Sequence, residues 1–315
     1  MNTHQYILRI FVVVLLFLIP FLCCSQEQLG LRMDNYQGIH SVFLNPANAA
    51  TQELGWNLNL IAAGAFVENN YAFLKNTSFL KAINSNIVYA SDVPPDWTPE
   101  DGEVVLDFNE MDSKKFVDFN GFITGPSFLA HLNEHHFGVF INYRFHGAEQ
   151  DLDQDLGYYT NSNIPLGQPF DVDRTQFAAM LWREIGIHYS YSKATYFGEI
   201  SIGTNLKYLN GLEGLVADSK QISILQRIAL EELEAVGVDA EIIATSPVLD
   251  QDNIADQSRG NGLGMDFGIS AIFRDYEDSY RLKIGLAVND LGKITFDNAV
   301  EAHVFQSLND ITFFK

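Results

Sequence analysis

The chain has 315 residues, 47% hydrophobic and 13% aromatic, and its 40 acidic against 19 basic side chains give a formal charge of −21. That excess of carboxylates repels phosphate, which excludes a nucleic-acid partner and a basic patch for anionic lipid. Both cysteines, Cys23 and Cys24, fall within the first 25 residues, so the rest of the chain carries no disulfide, thiol chemistry or cysteine metal site.

Residues 1–25 read as a signal peptide: His4 and Arg9, then an apolar run over 10–24 broken by Pro20, then small Ser25. The run is shorter than the roughly 20 residues a helical span needs. Acylation at Cys23 or Cys24 is the alternative, opposed by the bulk of Phe21 and Leu22 just before them. Removing the segment leaves 18 basic and 40 acidic side chains, a charge of −22. Residues 26–53 then form a short N-terminal segment holding Asn45, Pro46, Ala47 and Asn48, small and turn-forming, ahead of the first long alternating stretch.

From residue 54 to 315 the pattern is alternation. Over 55–67, Trp56, Leu58, Leu60 and Phe66 are assigned to one face, and a polar insert covers 91–118. Residues 121–132 fit less regularly, but 135–147 alternate strictly, with Phe137, Val139, Ile141, Tyr143 and Phe145 against Gly138, Phe140, Asn142, Arg144 and His146. The pattern returns over 184–192, 196–209, 262–273 and 280–290. Tight turns are predicted at 133–136, 192–195 and 274–279, and long polar inserts at 148–176 and 210–260 alternate with them. Within the last insert, Ile222, Leu225, Ile228, Ala229, Leu233 and Val236 lie near helical spacing and predict one short amphipathic helix.

Asp151, Asp153 and Asp155 could converge on calcium, but Gly157 and Ser162 do not match a calcium loop, so a solvated acidic loop is the plainer expectation. His135 and His136 are adjacent, which points their rings apart. Gly260, Gly262 and Gly264 run into strand residues and not into a helix, which removes the context a phosphate loop needs. No nucleophile elbow is present. The expectation is a non-enzyme without cofactor or metal.

Long alternating strands with aromatic edges and polar opposite faces fit two architectures, an outer-membrane barrel and a secreted β-sandwich with binding loops. The expected fold is all-β, an antiparallel transmembrane β-barrel with long polar loops and the one loop helix. Parity assigns Arg144, Glu199, Lys207, Asp266, Arg281 and Lys283 to the lumen, with Asp266 and Arg281 expected to pair across it.

Three segments, 30–50 with its Asn45-Pro46-Ala47 motif, 262–273, and 280–296 with Asn289 to Gly292 read as a turn, resemble Bacteroidota outer-membrane barrels of the FadL-like transporter superfamily, which includes a shuttle barrel of the type IX secretion system. The resemblance implies that Asn45, Pro46, Ala47 and Asn48 tuck inside or at the mouth of a barrel. It also implies transport of a hydrophobic or small solute, or a role in surface-protein export, with outer-membrane lipid and secretion or envelope proteins as partners. A structural envelope anchor with a further cell-wall-binding domain is the alternative. The resembled barrels close with 14 strands, so the barrel over 54–315 is expected to be incomplete at the C-terminus.

Overall fold

A computed structural model describes residues 38–51, 55–75, 77, 79–82, 85–90, 93–94, 97–100, 102–109, 114–152, 166–167, 169–172, 174–229, 232–245, 258–274, 280–296, 301–306 and 311–314. The signal-peptide reading, most of the aspartate-rich loop and residues 275–279 of the turn predicted at 274–279 lie outside these residues. Asp151, which is described, ion-pairs with Lys114 at 2.7 Å.

In chain order the strands are β1 (Trp56–Asn59), β2 (Ala62–Asn69), β3 (Ala72–Lys75), β4 (Asn86–Tyr89), β5 (Glu103–Phe108), β6 (Lys115–Thr124), β7 (Ser127–Leu132) and β8 (His135–Leu152). They continue with β9 (Pro169–Val172), β10 (Thr175–Thr195), β11 (Gly198–Ala229), β12 (Glu232–Ala244), β13 (Gly260–Arg274), β14 (Tyr280–Phe296), β15 (Glu301–Gln306) and β16 (Ile311–Phe314). Before them come a 3-10 turn Gly38–His40, a helical turn Ser41–Leu44 and a second 3-10 turn Pro46–Thr51.

The protein is all-β. Among the described residues a 13-stranded sheet holds every strand except β3, β4 and β5, which form a small sheet of their own. Its body is an up-and-down meander in which β1–β2, β6–β7, β8, β10, β11, β13 and β14 are successive antiparallel neighbours. Two turns at one end are tight. Asn133 and Glu134 join β7 to β8, with Asn133 at φ 57°, a left-handed conformation that asparagine tolerates. The second tight turn is Tyr196–Phe197 and not 192–195: β10 continues to Thr195, which faces Gly198, and Phe197 stacks on Phe273 at 5.2 Å.

The predicted loop helix is instead a hairpin. Residues 219–229 continue β11 and 232–236 begin β12, in a register that sets Ile224 against Val236 and Arg227 against Leu233. Ile222, Ile224 and Ile228 also alternate with period two. A β-branched run beside an existing ladder is captured by cross-strand pairing, which outweighs weak helical spacing.

The sheet is inside out relative to a soluble core. Ile187, Tyr189, Ile202, Leu206, Phe267 and Ile269 are exposed, whereas Glu184, His188, Ser190, Asn205, Lys207 and Asp266 on the other face are buried. The described sheets thus do not pack apolar face on apolar face as a sandwich would. Parity shifts once in the first strand pair: Leu60 and Ile61 both point outward, and Phe66 then falls on the polar face, contrary to its assignment with Trp56. The shift sits opposite Gly125 and Pro126, and Pro126 has no amide proton for the ladder.

The polar face is concave. Arg144 on β8 and Asp290 on β14 are four strand steps apart, about 19 Å on a flat sheet at 4.8 Å per step, yet their side chains meet at 2.8 Å. Curling of the sheet brings them together. It does not close into a barrel among the described residues: β1, β2 and β14 each keep one edge without a strand partner there.

Candidate functional site

Residues 38–51 fill the hollow as a plug. Ile39, Val42 and Ala49 pack with Leu129 and Phe140 in a buried hydrophobic cluster. Polar bonds come mainly from asparagines. Asn45 Nδ2 donates to the Ile269 carbonyl at 3.1 Å and the Leu286 carbonyl at 3.4 Å, while its Oδ1 accepts from the Ala47 amide at 2.9 Å. Asn205 Nδ2 donates to Val42 O and Asn289 Nδ2 to Leu44 O, both at 2.9 Å. On the opposite edge, Asn57 Oδ1 accepts from the Ile39 amide at 3.3 Å and Asn59 meets His40 at 3.2 Å. The plug therefore ties β1 to β14, the two edges of the open meander.

Its seat requires glycine. Gly203 on β11 faces Gly268 on β13, and a Cβ at Gly203 would land on the Pro46 carbonyl and 2.7 Å from the Ala47 nitrogen. One at Gly268 would come within 2.9 Å of Pro46 Cδ. Pro46 is fully buried there and Ala47 has no exposed surface. Proline brings no amide proton that would need a partner in this space.

Beside the plug lies a charged cluster. Arg144 Nη1 donates to Asp290 Oδ1 and Oδ2 at 2.8 and 2.9 Å and to Glu184 Oε1 at 3.2 Å, with its guanidinium 5.0 Å from the Trp182 ring centroid. Lys207 Nζ lies 2.7 Å from both Asp266 Oδ1 and Asp290 Oδ1. Asp266 also accepts from the Asp290 amide at 2.7 Å and from Asn205 Nδ2 at 2.8 Å. Glu184 accepts from Trp182 Nε1 at 2.9 Å, and His188 contacts Asn205 at 2.7 Å and Ser190 at 3.2 Å. Asn205 bonds both Asp266 and the plug, and Asn289 lies next to Asp290, so the charges and the plug form one connected network.

Of the lumen residues assigned by parity, Arg144, Lys207 and Asp266 are brought together. Glu199 and Lys283 share the same face elsewhere, on either side of Ile272 and toward the Tyr196–Phe197 turn. The side chain of Arg281 lies outside the described residues, but its position in the register overturns the Asp266–Arg281 pair. Arg281 sits beside Phe273 and Arg274, eight residues before Asn289 and thus about 26 Å along the strand. Asp266 is held by Lys207 instead. Reversing the charges of Asp266 and Arg281 is therefore expected to be additive in denaturant midpoints, a recovery in the double variant being the contrary result.

Sequence reasoning missed Glu184 and Asp290 for different reasons. Glu184 has the parity of Gly186, His188 and Ser190, so alternation alone would have found it. Asp290 breaks parity. Met265 pairs with Leu291 and Phe267 with Val288, so Asn289 and Asp290 together oppose Asp266. This is a β-bulge, with Asp290 at φ 58°, and it turns both side chains inward, one to the plug and one to the cations. The expected turn at 289–292 is this bulge inside β14.

The adjacent histidines diverge as expected: His136 points inward, its ring 4.6 Å from His131 and 3.3 Å from Ser192 Oγ, while His135 meets the Tyr189 hydroxyl at 2.9 Å. A cavity of about 280 Å³ opens between the plug and β2, β6 and β8, bounded by Phe43, Phe66, Phe122, Arg144, Phe145 and Asp290.

No curated protein and no solved structure matches the chain. Its sequence does match a family of unknown function, DUF5723, over residues 46–314, from Pro46 of the plug through the last described strand. That match covers nearly the whole sheet, and the chain belongs to the DUF5723 family.

Proposed function

We propose that the protein is an outer-membrane β-barrel protein of FadL-like kind, delivered by its N-terminal signal, whose plugged polar interior passes a small or hydrophobic solute. The observation that carries this reading is the inverted sheet: apolar side chains outward, a buried ionic network inward. In water that distribution wastes the hydrophobic effect, whereas against hydrocarbon it is the favoured one. The strands are long enough, since β8, β10 and β14 have 18, 21 and 17 residues and a tilted span needs about 9–11. Tight turns at one end and long connections at the other fit the same plan.

Membrane fractions of cells expressing the chain should hold it in the outer membrane, with a folded band that shifts on boiling. A soluble periplasmic product without that shift overturns the reading. A substitution adds a sharper check. Ile187 is 58% exposed mid-strand, so in water Ile187→Arg would change stability by less than about 0.5 kcal/mol. Facing lipid near the bilayer centre, it is expected to cost about 2–4 kcal/mol in unfolding from vesicles.

A further inference from the structure

We propose that the plug is an acid-sensitive closure: protons taken up by the imidazoles beneath it favour its departure from the hollow. As regulation of a solute path this rests on the reading above, whereas the acid response belongs to the plug itself.

Three histidines lie in two neighbouring rows of the polar face. In the first row Leu129 faces Gly138, and Gly138 faces His188. Ile39 of the plug packs into that row, since its Cδ1 and the His188 Cβ each lie 3.2 Å from where a Cβ on Gly138 would stand. One row nearer the tight turn, His131 faces His136 and His136 faces Ser190, which in turn faces Gly203 of the plug's seat. The His131 and His136 rings meet edge to face at 4.6 Å.

His136 is 3% exposed, and its Nδ1 has no hydrogen-bond partner, while Nε2 lies 3.3 Å from Ser192 Oγ. A protonated ring there would be a buried charge with an N–H that meets no acceptor. His188 is tied to the plug. Asn205 Nδ2 donates to both Val42 O and Asp266, so its Oδ1 accepts from His188 Nδ1 at 2.7 Å. Nε2 is then the acceptor of the neutral His188 ring, 3.2 Å from Ser190 Oγ. A proton on that nitrogen reverses the Ser190 contact and places a positive charge one row from His136.

The nearby carboxylates are committed to other partners. Asp266 reaches His188 through Asn205 and pairs with Lys207 at 2.7 Å. Glu184, four residues back along β10, accepts from Arg144 and Trp182. At the turn Glu134 accepts from the Tyr191 hydroxyl, and His135 meets Tyr189. His40 is the one titratable side chain of residues 38–51, and it meets Asn59 at 3.2 Å. With the plug away, water hydrates the imidazoles, which then titrate near their ordinary value of about 6.5. The open state therefore binds protons better, so closure is firm above about pH 7.5 and weakens as the pH falls below about 6.5. At about pH 5 each such imidazole favours opening by about thirtyfold.

The test uses the full chain in detergent with two cysteines: Ser41→Cys in the plug, and Lys114→Cys, whose native side chain is 80% exposed, as internal reference. Maleimide labelling is read site by site from peptide masses, and the ratio of the two rates cancels the titration of the thiol. From about pH 7.5 to about pH 5 that ratio is expected to rise about thirtyfold or more, with the heat-shifted folded band retained. His136→Gln keeps the Ser192 contact and His188→Asn keeps the donor to Asn205; together they should hold the rise below about threefold. Where the pair of changes unseats the plug already at neutral pH, each is read singly and should cut the rise about fivefold or more. The proposal is overturned by a parent ratio that stays within about threefold, by variants that respond like the parent, or by loss in acid of a folded band present at neutral pH. A heat-shifted band without the acid response would leave the solute-passing reading standing. The acid response in protein that shows no heat shift at either pH would uphold the closure and remove the barrel reading.

Discussion

Gly203→Val is expected to drive the plug from its seat and to destabilise the protein by about 3 kcal/mol or more. Overpacking a core typically costs about 1–3 kcal/mol because neighbours shift to make room. Here the atoms in the way are the backbone of Pro46 and Ala47, held between β11 and β13, and no rotamer change can clear them. Because the same plug bonds to Asn57 on one edge of the meander and Asn289 on the other, its loss should loosen both edges. Ser41→Cys makes a near-isosteric reporter at a residue with 1% exposure. Maleimide should label it slowly in the parent and rapidly beside Gly203→Val. Gly121→Ala serves as control, since the nearest atom to its new methyl would be 3.7 Å away. An unchanged midpoint with Ser41→Cys still shielded in the valine variant would show that the plug is not seated on Gly203.

The second large effect concerns Lys207. Lys207→Met removes a cation between Asp266 and Asp290, each 2.7 Å from its nitrogen, and Asp266 is 1% exposed with no route to water. Removing one partner of a buried ion pair costs about 3–5 kcal/mol, because an uncompensated charge stays behind. Asp266→Asn should cost less than that sum when added to Lys207→Met, so the double variant recovers part of the loss in a denaturation cycle. Glu199→Gln, half-buried and away from the cluster, is expected to stay within about 0.5 kcal/mol. Strict additivity of Lys207 and Asp266 changes would mean that the pair does not act as a unit.

The two experiments probe one object from its two sides. The plug is held by backbone fit at Gly203 and Gly268, and by Asn205 and Asn289, which also belong to the charged network. The neighbouring cavity is bounded by both Phe43 of the plug and Asp290 of the network.

Alternation of side chains along 135–147, 184–192, 262–273 and 280–290 was enough by itself to determine an all-β antiparallel chain and which face of each strand is apolar, because the strand period of two is local and follows from backbone geometry. It also put Arg144, Lys207 and Asp266 on one face. Only the tertiary structure decided which of these meet: curling brings β8 and β14 together across three strands, and that curvature is a property of the whole sheet. It also decided the features that break the period. The bulge at Asn289–Asp290 sets two residues against the single Asp266 of β13, the parity change at Leu60–Ile61 sits opposite Gly125 and Pro126, and the hairpin over 219–236 depends on the ladder beside it. Local periodicity could name the faces, while register and curvature, which need non-local partners, chose the contacts.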